Sequence, residues 1–273
     1  MAKVWFVTGS SRGLGLAVVE TALKSGASVI ATARNPAQLQ NLVDTYGDQI
    51  YPVALDVTNN EQVLQAVKAG HDRFGRIDVV VNNAGYADVG AVEDLTVEDF
   101  KAQVDANFYG TVYVSKAVVP ILRQQRSGHI FQISSVGGRL ASPGLAAYQG
   151  AKHAVGGFSG ILGVELAPFG VKVIVLEPGG MATDWAGSSM KVPPISEPYQ
   201  STVGSFIQFV RAASPDGFSK TVKVAEIILR LLDVEDPPAK LLVGDDAFTY
   251  GTAAGEALLA SDKKWEGLSR SSV

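Results

Sequence analysis

The chain has 273 residues, of which 47% are hydrophobic and 18% are charged, so it can bury a large core and is not expected to be disordered. The formal net charge of −4 argues against nucleic acid as the main partner, because phosphate binding requires clustered Lys and Arg side chains. No apolar run approaches the roughly 20 residues that cross a bilayer, and no cysteines are present for disulfides or thiolate metal sites. The scattered histidines do not suggest a metal site either. Because the first predicted strand leaves no room for a signal peptide, the chain is expected in the cytoplasm.

Short β-branched runs alternate with longer amphipathic stretches along most of the chain. Several of the short runs are apolar throughout, as parallel strands covered on both faces are. The pattern predicts an α/β fold, a Rossmann-like doubly wound parallel sheet of about seven strands, in a single domain spanning residues 1–273. The predicted strands are Val4–Thr8, Ser28–Ala33, Ile50–Ala54, Val79–Asn82, His129–Ser134, Val171–Leu176 and Lys240–Val243. The predicted helices include Leu16–Ser25, Glu61–Phe74, Val97–Gln125 and Gly150–Phe169.

Residues 184–220 interrupt this alternation. Prolines and serines fill the first half of the segment, and the apolar-rich run Phe206–Val210 follows. This composition predicts an irregular insertion capped by a short helix, which either covers a ligand or packs at a subunit contact. The polar tail after Asp262 is expected to fray.

A glycine-rich turn follows the first predicted strand, where residues 8–15 read Thr-Gly-Ser-Ser-Arg-Gly-Leu-Gly. Glycines permit a tight turn and a close backbone approach, and the first N–H groups of the next helix can bind a phosphate. A glycine-rich turn alone is a weak signal, but its place between a strand and a helix favours dinucleotide binding. The three residues between the first two glycines resemble the Thr-Gly-x-x-x-Gly-x-Gly motif of the classical short-chain dehydrogenase/reductases.

The end of the second predicted strand bears on which dinucleotide binds. Folds that prefer NAD place an acidic residue there to accept a hydrogen bond from the ribose 2′-hydroxyl, whereas this chain has Ala33 followed by Arg34. Arg12 lies in the glycine-rich turn, and two guanidinium groups at one ribose would bind a 2′-phosphate well. NADP(H) is therefore favoured over NAD(H). The alternative is that both arginines are merely solvated.

Further strand ends resemble the same family. Asp56-Val57 ends the third strand, where the family has an Asp beside the adenine, and residues 82–85 read Asn-Asn-Ala-Gly at the end of the fourth. After the sixth strand, residues 178–183 resemble the loop that meets the nicotinamide carboxamide. The residues expected to contact the cofactor are Gly9, Ser11, Arg12, Gly13, Leu14, Gly15, Arg34, Asp56, Val57, Asn83, Ala84, Gly85, Tyr148, Lys152, Pro178, Gly179, Met181 and Thr183.

The candidate catalytic pair is Tyr148 and Lys152, which are one helical turn apart and therefore face the same way. The pair is a weak signal by itself, but Ser135 ends the fifth strand at the family's usual distance before the tyrosine. Asn107, on the preceding helix, occupies the family's fourth catalytic position. Ser134 remains an alternative for the working hydroxyl. The non-catalytic interpretation is a buried helix aromatic and a serine that caps a strand.

The chemistry of carbonyl reduction requires these residue types. A reduced nicotinamide supplies a hydride to the carbon, and the protein must supply a proton to the oxygen. Lowering a phenol pKa from about 10 to about 7 needs roughly 4 kcal/mol, and one cation at about 4 Å gives that much before desolvation at an effective dielectric constant of ~20. Lys152 together with the positive nicotinamide of the oxidised cofactor is therefore expected to lower the pKa of Tyr148. The resemblance, which covers residues 3 to about 183, implies that Lys152 also binds the nicotinamide ribose, that Ser135 binds the substrate oxygen and that Asn107 holds a water.

The expected function is that of an NADP(H)-dependent oxidoreductase, of carbonyl reductase or alcohol dehydrogenase type, acting on a small-molecule carbonyl or alcohol. The alternative is a nucleotide-sensing regulatory protein on the same fold without catalysis. An enoyl reductase fits less well, since that branch of the family separates its Tyr and Lys by more residues. The resemblance also implies a homodimer or homotetramer that pairs the helices Val97–Gln125 and Gly150–Phe169 with their copies.

The apolar side chains of the insertion predict a substrate preference. They would wall a pocket over the nicotinamide that accepts a bulky apolar carbonyl and excludes charged substrates. Packing in the core or at a subunit contact is the alternative. The residues concerned are Trp185, Met190, Phe206, Ile207 and Phe209.

Overall fold

The computed structural model describes residues 2–181, 190–212 and 217–272. This part contains one seven-stranded sheet, with β1 (Val4–Thr8), β2 (Ser28–Ala33), β3 (Ile50–Ala54), β4 (Val79–Asn82), β5 (Gly128–Ile133), β6 (Val171–Pro178) and β7 (Lys240–Val243). The strands follow the order β3-β2-β1-β4-β5-β6-β7, and every neighbouring pair is parallel. The order reverses between β1 and β4, so their carboxyl ends flank the crevice where ligands bind in such sheets. The predicted Rossmann-like, doubly wound sheet is confirmed.

Helices cover both faces of the sheet. Alternate residues of β1 point to opposite sides, so Trp5 packs against the helices on one face of the sheet, whereas Phe6 packs against those on the other face. None of the helices in the described ranges is both long and apolar enough to span a membrane. The helices are α1 (Gly13–Lys24), α2 (Gln40–Tyr46), α3 (Asn60–Phe74), α4 (Val97–Val104), α5 (Gly110–Gln125), α6 (Ala146–Leu166), α7 (Ser205–Ala212), α8 (Thr221–Leu231), α9 (Asp245–Lys264) and α10 (Glu266–Arg270).

The helix predicted over Val97–Gln125 contains an irregular turn. Between α4 and α5, residues Asp105–Tyr109 form a π-helical turn, a feature that is often found at functional sites. The turn shifts the register of the hydrogen bonds and presents Asn107 to the carboxyl edge of the sheet. Sequence periodicity did not reveal it, because a single extra residue hardly changes an amphipathic pattern.

The C-terminal region differs from its prediction. The tail after Asp262 was expected to fray, but α9 runs to Lys264 and α10 follows, with every residue in 255–272 exposed. Good helix formers such as Ala and Leu explain why this segment is helical although it buries little surface. Within the insertion, the described residues contain a 3-10 turn, a π-helical turn and α7, so they are more helical than expected.

Candidate active site

The glycine-rich turn is a tight connection between β1 and α1. Gly9 and Gly13 adopt φ values of 68° and 56°, in the left-handed region that favours glycine. A Cβ atom on Gly15 would lie 2.1 Å from the Gly9 carbonyl oxygen, so only glycine fits there. Arg12, the residue before α1, makes no side-chain capping hydrogen bond. The turn therefore offers backbone N–H groups at a helix N-terminus, as a phosphate group requires.

Asparagine side chains join the strand ends beside this turn. Asn83 Nδ2 donates to the carbonyl oxygens of Thr8 and Gly9 at 3.0 and 3.3 Å. The Thr8 hydroxyl in turn accepts from the N–H groups of Asn83 and Ala84 at 2.9 and 3.0 Å. Asn82 Nδ2 donates to Gln132 Oε1 at 2.8 Å, which ties β4 to β5. These amides hold the ends of neighbouring strands together.

The residues predicted for the adenosine side lie at the ends of β2 and β3. Ala33 is buried, whereas Arg34 and Arg12 are both exposed at the carboxyl edge. Asp56 Oδ1 accepts from the N–H and hydroxyl of Thr58 at 3.0 and 2.8 Å, so this carboxylate closes its own turn. Among the predicted contacts, the Leu14 side chain is buried in the core, so only its backbone remains for a ligand.

The charge of Arg34 acts on Tyr86, which lies in the loop after β4. Burial raises the pKa of Tyr86, with the charge of Asp88 adding to it, and the Arg34 guanidinium acts in the opposite direction. The charge of Arg34 therefore acts on a residue that follows β4, although the Arg34 side chain is itself exposed.

Tyr148, Lys152 and Ser135 come together from two elements. Tyr148 lies in the first turn of α6, and the buried Lys152 lies one turn later with its Nζ 5.6 Å from the centroid of the tyrosine ring. Lys152 Nζ donates to the Ile133 carbonyl oxygen at 2.8 Å, which anchors the ammonium to the end of β5. Ser135 follows that strand, and its side chain is hydrogen-bonded to the phenol.

The two candidate serines have different partners. Ser134 is buried, and its hydroxyl donates to the Lys152 carbonyl oxygen at 3.2 Å. Ser135 Oγ instead accepts from the Gly137 N–H at 3.0 Å and lies 3.4 Å from the Pro178 carbonyl oxygen, to which it donates. Only the Ser135 hydroxyl therefore lies beside the phenol and the loop after β6.

Burial shifts the pKa values of Tyr148 and Lys152 in opposite directions. It raises the pKa of Tyr148, and the hydrogen bond with Ser135 lowers it by less. Burial also lowers the pKa of Lys152 from 10.5 to about 8. The phenol is thus protonated at neutral pH, which suits a proton donor.

Asn107 places an unsatisfied oxygen near the lysine. Its Nδ2 donates to the carbonyl oxygens of Tyr86 and Gln103 at 2.7 and 2.8 Å, but its buried Oδ1 has no hydrogen-bond partner among the described residues. A Cβ atom on Gly85 would lie 2.4 Å from this oxygen and 3.6 Å from Lys152 Nζ. A buried acceptor of this kind usually binds water or a ligand, and here it faces the same space as the ammonium.

The loop after β6 closes the other side of the site. Pro178 ends β6, the Gly179 N–H donates to the Val243 carbonyl oxygen at 3.1 Å, and Met181 pairs with Ser219. Thr183, the last predicted contact, lies outside the described residues.

Two carboxylate contacts next to this loop could not be predicted from the sequence. Glu177 is fully buried and accepts from Arg139 Nε at 2.7 Å, which links β6 to the segment that follows Ser135. Asp246, at the start of α9, accepts from the Gly180 N–H at 2.6 Å. No local motif marks either contact, because the partners are 38 and 66 positions apart.

Apolar side chains surround the phenol on the side away from the sheet. A small cluster there contains Leu145 and Ile207, and Tyr148, Met190 and Phe206 pack against it. Phe209, in contrast, is 67% exposed and does not belong to this cluster, because it lies on the outer face of α7. Trp185 lies outside the described residues.

The residues at this edge fit a nicotinamide dinucleotide. They combine a glycine cradle at a helix N-terminus, a buried ammonium and an unpartnered amide oxygen. Among known proteins, the profile of the short chain dehydrogenase family matches residues 3–192. The chain belongs to this family. It is therefore an oxidoreductase of the short-chain dehydrogenase type, and its cofactor is a nicotinamide dinucleotide.

Individual relatives agree with this assignment. The chain is 63% identical to the oxidoreductase BOA17 of Botryotinia fuckeliana over 274 residues, which is 100% of both chains. The crystal structure of a short-chain dehydrogenase from Streptomyces avermitilis is 35% identical, with a TM-score of 0.94 over 100% of this chain and 98% of that one.

Two solved structures at 25% identity contain a cofactor. A Burkholderia cenocepacia short chain dehydrogenase in complex with NADP has a TM-score of 0.77 and covers 96% of this chain and 97% of its own. A Brucella melitensis 3-ketoacyl-(acyl-carrier-protein) reductase complexed with NADH has a TM-score of 0.76 and covers 89% of this chain and 96% of its own.

Proposed function

We propose that the chain is an NADP(H)-dependent carbonyl reductase or alcohol dehydrogenase in which Tyr148 is the general acid and base. The observation that carries the proposal is the protonated phenol, which is hydrogen-bonded to Ser135 and lies beside the buried Lys152 ammonium. A regulatory protein that only senses the nucleotide is not favoured, because it would have no need to keep an ammonium buried next to a phenol.

Each residue has a role that its contacts support. When bound, the reduced nicotinamide supplies the hydride. Tyr148 donates its proton to the carbonyl oxygen, and Ser135 donates a hydrogen bond to the same oxygen as negative charge develops there. Lys152, anchored through the Ile133 carbonyl oxygen, favours the phenolate that remains. The free Oδ1 of Asn107 holds a water that returns a proton toward Lys152.

The preference for NADP(H) follows from the charges at the ends of β1 and β2. No carboxylate is present at Ala33 to accept from a ribose 2′-hydroxyl, and Arg34 and Arg12 are exposed at the same edge. A 2′-phosphate would bind bidentately to such guanidinium groups. Of two solved structures that are both 25% identical to this chain, one is in complex with NADP and the other with NADH. The preference is therefore tested by comparing kcat/KM for NADPH and NADH.

The substrate class follows from the cluster around Tyr148. Met190, Phe206 and Ile207 bring apolar surface from the insertion to the cluster that Tyr148 also packs against, which supports a role for the described residues within 190–220 as a substrate loop. An apolar wall of this kind binds a bulky aliphatic or aromatic carbonyl and disfavours a charged substrate, whose desolvation it cannot compensate. The Brucella relative, which is named as a reductase of 3-ketoacyl groups, is compatible with this class.

We also propose that the chain forms a homodimer, which is either the final assembly or half of a homotetramer. On α6, Ile161 and Val164 are 64% and 77% exposed, and a Cβ atom on Gly157 or Gly160 would meet no atom within 4 Å. This open, apolar face lies beside α4, where Val97 is also exposed. Pairing of the two helices with their copies about a two-fold axis would cover these side chains.

A carbonyl panel tests the function. Purified full-length protein is mixed with NADPH or NADH and a set of ketones and aldehydes, and oxidation of the nicotinamide is followed by absorbance. We expect turnover with NADPH and a higher kcat/KM for bulky apolar or aromatic carbonyls than for small polyols or charged compounds. Tight cofactor binding without oxidation by any member of the panel would instead support the nucleotide-sensing alternative.

A further inference from the structure

α9 begins at the edge of the active site. Asp246, in its first turn, accepts a hydrogen bond from the Gly180 N–H at 2.6 Å. Gly180 belongs to the loop after β6, and the Ser219 N–H donates to its carbonyl oxygen at 2.9 Å. The carboxylate therefore connects a C-terminal helix to a loop that lies more than sixty positions earlier in the chain.

Two glycines make room for the carboxylate. A Cβ atom on Gly179 would lie 2.2 Å from Asp246 Oδ1, and one on Gly244 would lie 2.9 Å from it. Gly244 also has a φ of 108°, a conformation that disfavours any other residue. The backbone on both sides is thus built closely around Asp246, and a longer acidic side chain would not fit.

The second carboxylate oxygen has no partner. Asp246 Oδ1 is buried and accepts no hydrogen bond from any described residue. Leaving one oxygen of a carboxylate unsatisfied costs stability, even though the first turn of a helix favours negative charge. Helix capping alone therefore does not account for this side chain, since the exposed Asp245 beside it supplies the same charge to the helix.

We infer that Asp246 is a positioning residue for the cofactor, because its carboxylate holds Gly179 and Gly180 in the backbone conformation that the nicotinamide end requires. The inference rests on the proposed function and on the expectation from the sequence that the loop after β6, which includes Pro178, Gly179 and Met181, meets the nicotinamide carboxamide. The position of the acceptor oxygen matters, and the negative charge matters less.

Cofactor binding by variants of the full-length protein tests this inference. Dissociation constants for NADPH and NADH are measured by isothermal titration calorimetry on wild type, Asp246→Ala, Asp246→Asn, Asp246→Glu and the control Asp245→Ala. Asp246→Ala and Asp246→Glu should weaken NADPH binding at least tenfold. Asp246→Asn, which keeps an acceptor oxygen in place, and Asp245→Ala should both stay within threefold of wild type.

The comparison of variants separates positioning from structure. A melting temperature and a circular dichroism spectrum are recorded for each protein, and if Asp246→Ala does not fold, Asp246→Glu against Asp246→Asn decides the question. Binding by Asp246→Glu as tight as wild type, or by Asp246→Asn as weak as Asp246→Glu, would overturn the inference. Failure of wild type to bind either dinucleotide would contradict the proposed function instead.

Discussion

Replacement of Lys152 by Met should stabilise the protein while it abolishes turnover. Lys152 is only 5% exposed, and burial lowers its pKa from 10.5 to about 8. At ~1.4 kcal/mol for each pH unit, this difference means that the folded state pays about 3 kcal/mol to keep the ammonium charged at pH 7. Methionine has a similar length and no charge to desolvate, so the variant is relieved of this cost.

The net gain is smaller than the full desolvation cost. Lys152 Nζ donates to the Ile133 carbonyl oxygen at 2.8 Å, and loss of that donor costs about 1–2 kcal/mol. The variant should therefore be more stable than wild type by about 1–2 kcal/mol at pH 7. For a chain of this size, that corresponds to an increase in melting temperature of about 2–4 °C.

The pH dependence identifies the cause. Because the pKa of Lys152 is lower in the folded state than in the unfolded state, the destabilisation is complete below about pH 8 and disappears as the pH rises toward 10.5. The stability advantage of Lys152→Met should thus be largest at pH 7 and reverse to a disadvantage of about 1–2 kcal/mol by pH 10.5, where only the lost hydrogen bond to the Ile133 carbonyl oxygen remains.

Differential scanning calorimetry at pH 7 and pH 10 measures this effect. Lys172→Met is a matched control, since Lys172 Nζ also donates to a backbone oxygen, that of Val234 at 2.9 Å, but this lysine is not buried. The control should show no gain at either pH. A Lys152→Met variant that melts below wild type at pH 7, or one whose advantage at pH 10 is as large as at pH 7, would refute the reasoning. A lysine kept at such a cost is expected where activity requires it.

Other predictions test the remaining parts of the site. Tyr148→Phe should lower turnover by at least ~10²-fold, with NADPH affinity measured by calorimetry unchanged, and a loss below tenfold would reassign the proton donor. Ser135→Ala should reduce kcat far more than the equivalent change at Ser134 in the same assay. Wild type should have a higher kcat/KM with NADPH than with NADH. Ala33→Asp combined with Arg34→Ala should reverse that ratio. Val164→Asp should convert the oligomer to a monomer near 28.7 kDa in light scattering, whereas a wild-type monomer would exclude the proposed dimer.

The sequence by itself determined the sheet and the principal site. Strands that are apolar on both faces occur in parallel sheets with two helical layers, so the alternation of short and long segments already specified the architecture. The glycine-rich turn and the spacing of Tyr148 and Lys152 were equally readable. Both are local patterns, in which residues a few positions apart are held together by one turn or one helix.

Only the tertiary structure decided the properties that depend on distant contacts. It placed Ser135 at the phenol while Ser134 binds the α6 backbone, a distinction that one position in the sequence could not make. It joined Asp246 to the loop after β6, since the two meet only after α9 packs at the end of β7. It also set the pKa of Tyr148 above its usual value, because burial depends on everything that packs around a side chain, whereas the sequence names only its neighbours along the chain.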